Sequence, residues 1–295
     1  MKKNGKAVAR AIADESVPMT FVRVLGKSFF RTTALRCLAS IFRNFFFLQW
    51  RSALFPWKIP VSRADHPLDE SIPFFPHKIN TYIDFVAFWI RTLSFLLRHY
   101  DQHVRVQVRD FLKTMGELYA YAAEVYSRHL STTYRPFYLG RLKFISIHTL
   151  DPHLMCIPSL HVMVVIRTYT WFEKIIRSFN DDSRFASRIE ELRRGAIDIT
   201  EAVLYIKQHS VNCIPAAMYA MTRYNGELFP PEEAERFAQG LFTRGKNLSS
   251  AESKEIRDFI ITLYKQFLFR GEEQGPGSDW KIPLLEFLKT LPVVK

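Results

Sequence analysis

The stretch PSLHVMVVIRTYTWFEKIIRSF at 158–179, closed by NDDS at 180–183, decides the fold class. Proline is favoured at the first position of a helix, where its missing N–H would have no intrahelical partner. Pro158 therefore opens a helix predicted to reach about Phe179, and Asn180, Asp181, Asp182 and Ser183 break it. On the N-terminal side, a strongly apolar helix is predicted over 79–100 and a more polar one over about 104–129. Arg135-Pro136 breaks that pattern, and a loop runs on to Pro158. On the C-terminal side, short helical patterns lead to an apolar helix over about 198–224. Pro230-Pro231-Glu232-Glu233 opens another, and Ser249 with Glu252 has capping-box spacing ahead of a helix reaching about Phe269. A linker over 271–278 and a short tail helix complete the chain.

Residues 20–50 interleave Phe21, Leu25, Phe29, Leu38 and Phe45 with Arg23, Lys27, Arg31, Arg36 and Arg43. The spacing predicts an amphipathic helix interrupted around Thr32 and Thr33. Its face is either core-facing with a solvated basic side, or interfacial on anionic lipid. Residues 51–78 form a Pro-rich loop, since each proline removes a donor and biases its predecessor away from helix. No β alternation and no internal repeat appear. The expectation is an all-α helical bundle, divided into an N-terminal basic region (1–68), a core (69–224) and a C-terminal helical extension (225–295).

Composition agrees. The 295 residues include only 11 Gly against 26 Phe, 12 Tyr and 5 Trp, which suits long helices better than a turn-rich sandwich. With 48% hydrophobic and 24% charged residues, disordered, collagen-like and disulfide-scaffold classes are excluded. The formal charge of +12 favours anionic partners: phosphate esters, acidic headgroups or nucleic acid. The basic residues form no compact tract and no nucleic-acid-binding signature appears, so nucleic acid is not expected. Cys37, Cys156 and Cys213 cannot all pair and lie in apolar segments, which suits a reducing compartment. The basic N-terminus (Lys2, Lys3, Lys6, Arg10) has no apolar core behind it, so no signal peptide is expected. Charges interrupt the most apolar runs, at Arg43, at Asp84 and Arg91, and at Asp151. The expected location is cytoplasmic or membrane-associated.

Two clusters carry candidate chemistry: Arg128 and Arg135-Pro136 followed by Pro158-Ser159-Leu160-His161, and Lys207-Gln208-His209 up to Cys213. Two guanidiniums supply donor forks suited to phosphate oxygens. Ser159 and the free N–H groups of the following helix form an anion seat. Two histidines flanking one phosphate suffice for double displacement, one attacking phosphorus and the other protonating the leaving oxygen. Such a site needs no metal or organic cofactor.

These residues resemble the type 2 phosphatidic acid phosphatase and vanadium haloperoxidase superfamily. Its pattern is a basic residue, six spacers and Arg-Pro, then Pro-Ser-x-His, then a block ending in a histidine with an aspartate four residues on. Arg128 stands where that family has lysine; Arg135, Pro136, Pro158, Ser159 and His161 match. Lys207-Gln208-His209 is similar to the third block of the lipid-phosphate transferase-like branch, and Ile72-Pro73-Phe74-Phe75-Pro76 with Tyr82 resembles the entry to that branch's second helix. The resemblance implies His209 as nucleophile, His161 as general acid, and Arg128, Arg135 and Ser159 as phosphate ligands. The substrate class it implies is a phosphate monoester, including phosphorylated lipid.

The third block departs from the pattern. Its orienting aspartate falls at Cys213, expected one helical turn beyond His209, and its Ser-Arg pair falls at Ala202 and Val203. Glu201 is a candidate replacement carboxylate. The resemblance therefore leaves two readings: an active phosphatase or phosphotransferase, and a catalytically degenerate relative that binds phosphorylated lipid or an anionic membrane surface. Taken without that context, the arginines could merely balance helix ends, and His209 could lie on a solvated turn. His148, Asp151, His153 and His161 lack defined ligand spacing, so no metal site is expected.

Overall fold

A helix that is mostly apolar tends to lie inside, and the segment following Pro158 is one. In a computed structural model describing residues 10–244, 247–273, 275, 277 and 279–294, α8 spans Leu160–Ser178, and its residues from Leu160 to Phe172 are all buried. Thr168 and Thr170 bond back to the carbonyls of Val164 and Ile166, and one Arg167 nitrogen donates to Thr114 at 2.8 Å.

The other helices are arranged around this one. Before it come α1 (Val17–Gly26), α2 (Ser28–Ile41), a π-helical turn (Phe42–Phe47), α3 (Leu48–Leu54), the single turn α4 (Leu68–Ser71), α5 (Ile79–Tyr100), α6 (Arg105–Tyr126) and α7 (Leu142–Leu150). After it come α9 (Ala186–Tyr205), α10 (Cys213–Asn225), α11 (Pro231–Gln239), α12 (Ser250–Glu273) and α13 (Ile282–Thr290). Helices α5, α6, α9 and α10 pack directly on α8, while α2 lies on α6, α1 on α5, and α12 on α10. The fold is all-α. Among the described residues the sheet structure is one parallel pair, β1 (Val61–Arg63) with β2 (Leu130–Thr132), bridged to Val293 and Met155 at its margins.

Several expected boundaries hold, including α5, the proline-opened α11 and the capping box of α12. There Ser249 N donates to Glu252 at 2.8 Å and Glu252 N donates back to the Ser249 hydroxyl at 3.1 Å. Others shift. The N-terminal amphipathic helix breaks at Lys27, between α1 and α2, not at Thr32 and Thr33. Pro158 precedes α8 instead of opening it; Ser159 is the N-cap. The segment after Arg135 contains α7, read from sequence as loop. The helix expected over 198–224 is two helices, because Lys207 adopts φ 56 and the chain leaves helical geometry until Cys213. Lys2, Lys3 and Lys6 lie outside the described residues.

Gly116 on α6 sets the closest approach of α2. A Cβ there would lie 3.2 Å from the Cys37 Cα, and the Ser40 hydroxyl donates to the Gly116 carbonyl at 2.6 Å. Gly116→Val forces a branched side chain into the backbone of α2. It is expected to lower stability by about 2–3 kcal/mol, read as a reduced urea midpoint with unchanged helical circular dichroism before the transition.

Candidate functional site

The turn between α9 and α10 makes few helical hydrogen bonds of its own, so other segments must hold it. Asp69 in α4 does much of this, accepting from His66 N and Val211 N at 2.8 Å each. Lys207 reaches back to the carbonyls of Asp69 and Ile72, Asn212 Nδ2 donates to Ala64 O at 3.1 Å, and Phe75 N donates to Tyr205 O at 2.8 Å. The loop over 64–75 thus clamps the turn over 205–212. Burial pushes the Asp69 carboxyl up, while its hydrogen bonds from Ser210, Val211 and His66 oppose that shift.

The segment before α8 is held equally firmly. Ser131 in β2 pairs with it through Ser131 N to Leu154 O (3.0 Å), Cys156 N to Ser131 O (3.2 Å), and Ile157 N to the Ser131 hydroxyl (2.8 Å). Tyr126 at the end of α6 donates to the Pro158 carbonyl. With both segments fixed, Ser159, His161 and His209 meet. His209 Nε2 lies 3.3 Å from the Ser159 hydroxyl and 3.3 Å from His161 Nδ1. No side chain caps α8, because the Ser159 hydroxyl is directed at His209 instead; the first N–H groups of α8 are left without a side-chain acceptor.

Aromatic rings form the wall. Tyr82 and Phe85 of α5 lie 4.5 and 4.3 Å, centroid to centroid, from the His161 ring. On the other side His153 sits 6.4 Å from the His209 ring, its Nε2 bonded to Thr133 at 2.7 Å. Arg135 lies near enough to His209 and His153 to lower the pKa of both electrostatically. It donates to the Asp151 carboxylate at 2.9 Å and to the Asp151 carbonyl at 3.2 Å, and Asp151 also accepts from Gln49 on α3. The sequence pattern had placed His153 and Asp151 only in an undefined metal cluster. Nothing in their spacing signals that one flanks His209 and the other holds the arginine.

Burial determines the protonation states. It depresses His161 and His153 well below the ordinary histidine value, assisted by His209 in the first case and by Arg135 in the second. His209 is lowered to about 3 by burial, against an opposing effect of the Cys156 carbonyl. All three rings are therefore neutral near pH 7. His209 Nδ1 is buried without a hydrogen bond of good geometry.

The remaining expected residues lie elsewhere. Arg128 is largely exposed and pairs with Asp279 at 3.9 Å, away from these contacts. Cys213 does not follow His209 along one helix, since it begins α10 after the turn; it is fully buried, with its thiol held well above the usual range. Glu201 accepts from Phe242 N at 2.6 Å, and burial raises its carboxyl to about 7. It is committed to that backbone group. Ala202 and Val203 are buried core. Among the described residues, no group of three or more His, Cys, Asp or Glu side chains is arranged to hold a metal ion.

Two consequences can be measured. Asp69→Ala removes the acceptor for Val211 N and His66 N and is expected to destabilise by about 3 kcal/mol; two-dimensional NMR should show the His209 ring signals broadened or shifted. The neutral histidines also set a pH dependence. Their folded values lie below the 6.5 of an unconstrained ring, so the unfolded chain binds more protons below that pH. Their stabilising effect is complete above pH 6.5 and falls on acidification by about 1.4 kcal/mol per pH unit per ring, continuing to about pH 3 for His209. Urea titrations between pH 6 and 4.5 should show that His209→Gln flattens this slope by one ring's worth.

Comparison with protein-family models, with curated proteins and with solved structures gives no match.

Proposed function

We propose that Arg135, Ser159, His161 and His209 form a phosphoryl-transfer site acting on a phosphate monoester through a phosphohistidine. The observation supporting this most directly is the convergence on one atom. His209 Nε2 has both a hydroxyl and a second imidazole nitrogen at 3.3 Å, contributed by a segment about fifty residues away and placed beside an arginine.

With the proton of neutral His209 on Nδ1, its Nε2 lone pair faces the Ser159 hydroxyl and His161 Nδ1. A substrate phosphate entering beside Arg135 displaces one of these contacts and meets that lone pair. Nε2 forms the N–P bond as the ester P–O bond breaks, and the leaving oxygen takes a proton from His161. Water then attacks phosphorus, giving its proton to His161, and the N–P bond breaks to release phosphate and neutral His209. Arg135, Ser159 and the uncapped N–H groups of α8 are placed to meet charge on the equatorial oxygens.

The general-acid step requires a protonated His161, which burial disfavours in the empty site. A bound dianion favours the imidazolium by direct charge attraction, so loading the site and charging the acid are one event. Phosphorylated lipid and soluble phosphate monoesters present the same group to it.

A second reading has its own observation. No carboxylate bonds His209 Nδ1, and the residue at the pattern's aspartate position is a buried thiol on the next helix. On this reading the cluster binds a phosphate without turning it over.

The test uses phosphatidic acid and p-nitrophenyl phosphate in metal chelator, with wild type, His209→Ala and His161→Ala. The catalytic reading expects phosphate release that falls by about 10³-fold or more in both variants, and an acid-labile phosphoprotein in wild type that His209→Ala lacks. Equal negligible rates, with inorganic phosphate still shifting in the ³¹P spectrum, would leave the binding reading. Cys213→Asp introduces a carboxylate into a buried position already near Asp69 and Asp65. It is expected to lower stability and to leave turnover no higher.

A further inference from the structure

The excess of basic over acidic residues lies in two stretches that lack Asp and Glu. Between Ser16 and Ala64 there are eight Lys and Arg residues and no Asp or Glu; between Tyr134 and Leu150 there are three and none. The two segments together carry nearly all of the formal +12. They also carry the most exposed large apolar side chains. Trp57 is 75% exposed, Phe137 85% and Leu142 82%. Phe47, Trp50 and Leu54 stand exposed along α3 and the π-helical turn before it, and Ile145 and Leu150 along α7. Monomeric proteins rarely present so many large apolar groups together unless the surface is used.

Distant in sequence, the segments are joined in space. Gln49 of α3 donates to the Asp151 carboxylate at the end of α7 (2.8 Å) and accepts from Leu154 N (3.1 Å). Lys143 of α7 donates to Asn80 in the first turn of α5 at 2.7 Å, and α5 leaves Ile83 and Val86 exposed on its outer side. The exposed arginines and lysines stand among the apolar groups: Arg43 and Arg51 flank Phe47, and Arg141 and Lys143 flank Leu142. Lys58 lies over the Phe55 ring at 4.9 Å, and that ring meets Trp57 edge-on at 5.7 Å.

We propose that the segment from the π-helical turn through Lys58 and the segment 136–150 form one surface that docks the protein on an anionic bilayer. The aromatic and aliphatic side chains enter the interfacial layer and the arginines and lysines meet lipid phosphates and carboxylates. Tryptophan and phenylalanine interleaved with basic residues have the chemistry of that layer. Among the described residues no helix is long and apolar enough to cross a membrane, so the surface lies on the bilayer without spanning it. A second copy of this chain is a poor occupant, because two surfaces of the same strong positive charge repel. The inference does not rest on the phosphoryl chemistry of His209. It does explain why the rim of that site, Arg135 and Asp151, is continuous with the surface.

Co-sedimentation of the full chain with vesicles tests it. Phosphatidylcholine vesicles with a quarter phosphatidylserine should bind the protein at least tenfold more tightly than phosphatidylcholine alone, and 0.5 M NaCl should remove most of that difference. The pairs Trp50→Ser with Trp57→Ser, and Phe137→Ser with Leu142→Ser, should each weaken binding about tenfold or more. Arg43→Glu with Arg51→Glu should abolish the preference for anionic lipid. All these side chains are exposed, so unchanged thermal melts serve as the folding control. Binding that is absent, or equal on both vesicles, overturns the proposal. So does loss from the tryptophan pair alone, because the surface then does not include α7. A dimer in sedimentation velocity that the same variants dissociate, without vesicle binding, assigns the surface to a second copy instead. His209→Ala should bind vesicles as wild type does, so failure of catalysis and failure of docking are read separately.

Discussion

The site depends on one polar clamp. Where α9 ends, Lys207 turns into the left-handed region and the helix cannot continue, so the backbone groups of the turn need partners from elsewhere. Asp69 answers one of them, Val211 N, through a carboxylate 142 residues away, and Lys207 returns its ammonium to the carbonyls of Asp69 and Ile72. Hydrogen bonds to a charged group are the stronger kind, and those lost from a buried position leave donors unsatisfied. The clamp therefore fixes His209 more tightly than packing alone would. It also explains how a histidine on a turn can stand opposite one on the first turn of a buried helix with definite geometry.

Once the two histidines meet, the low polarity of their surroundings governs the rest. Two charged imidazoles at 3.3 Å would repel in a site from which water is largely excluded, so the pair is neutral. Arg135 is a permanent charge near enough to His209 and His153 to lower the pKa of both, and Asp151 both neutralises and orients it. The first N–H groups of α8 have no side-chain cap, and the Ser159 hydroxyl that could supply one contacts His209 instead.

The backbone path sets positions 209 and 213 apart. In a continuous helix, position 213 would lie above position 209, and an aspartate there would reach the imidazole. Here the chain breaks between them, so the two positions do not share a helical face. Cys213 is a packing residue of α10, and His209 has the Cys156 backbone carbonyl nearby. A carboxylate placed at 213 would not face the His209 ring along a shared helix.

What local pattern could decide, it decided. Apolar spacing and capping residues placed α5, α8, α11 and α12 close to their observed bounds, since a helix is stabilised by contacts within a few residues of itself. The order of Ser159, His161 and His209 picked out three residues whose side chains meet. Tertiary structure decided the rest. It broke the helix expected over 198–224, folded α7 out of a segment read as loop, and turned Arg128 toward Asp279. It also set Asp151 on Arg135 and made three histidines neutral by burying them. Each of these depends on groups far apart in the chain, and hydrogen bonds or burial formed across such distances leave no periodic trace in the sequence around either partner.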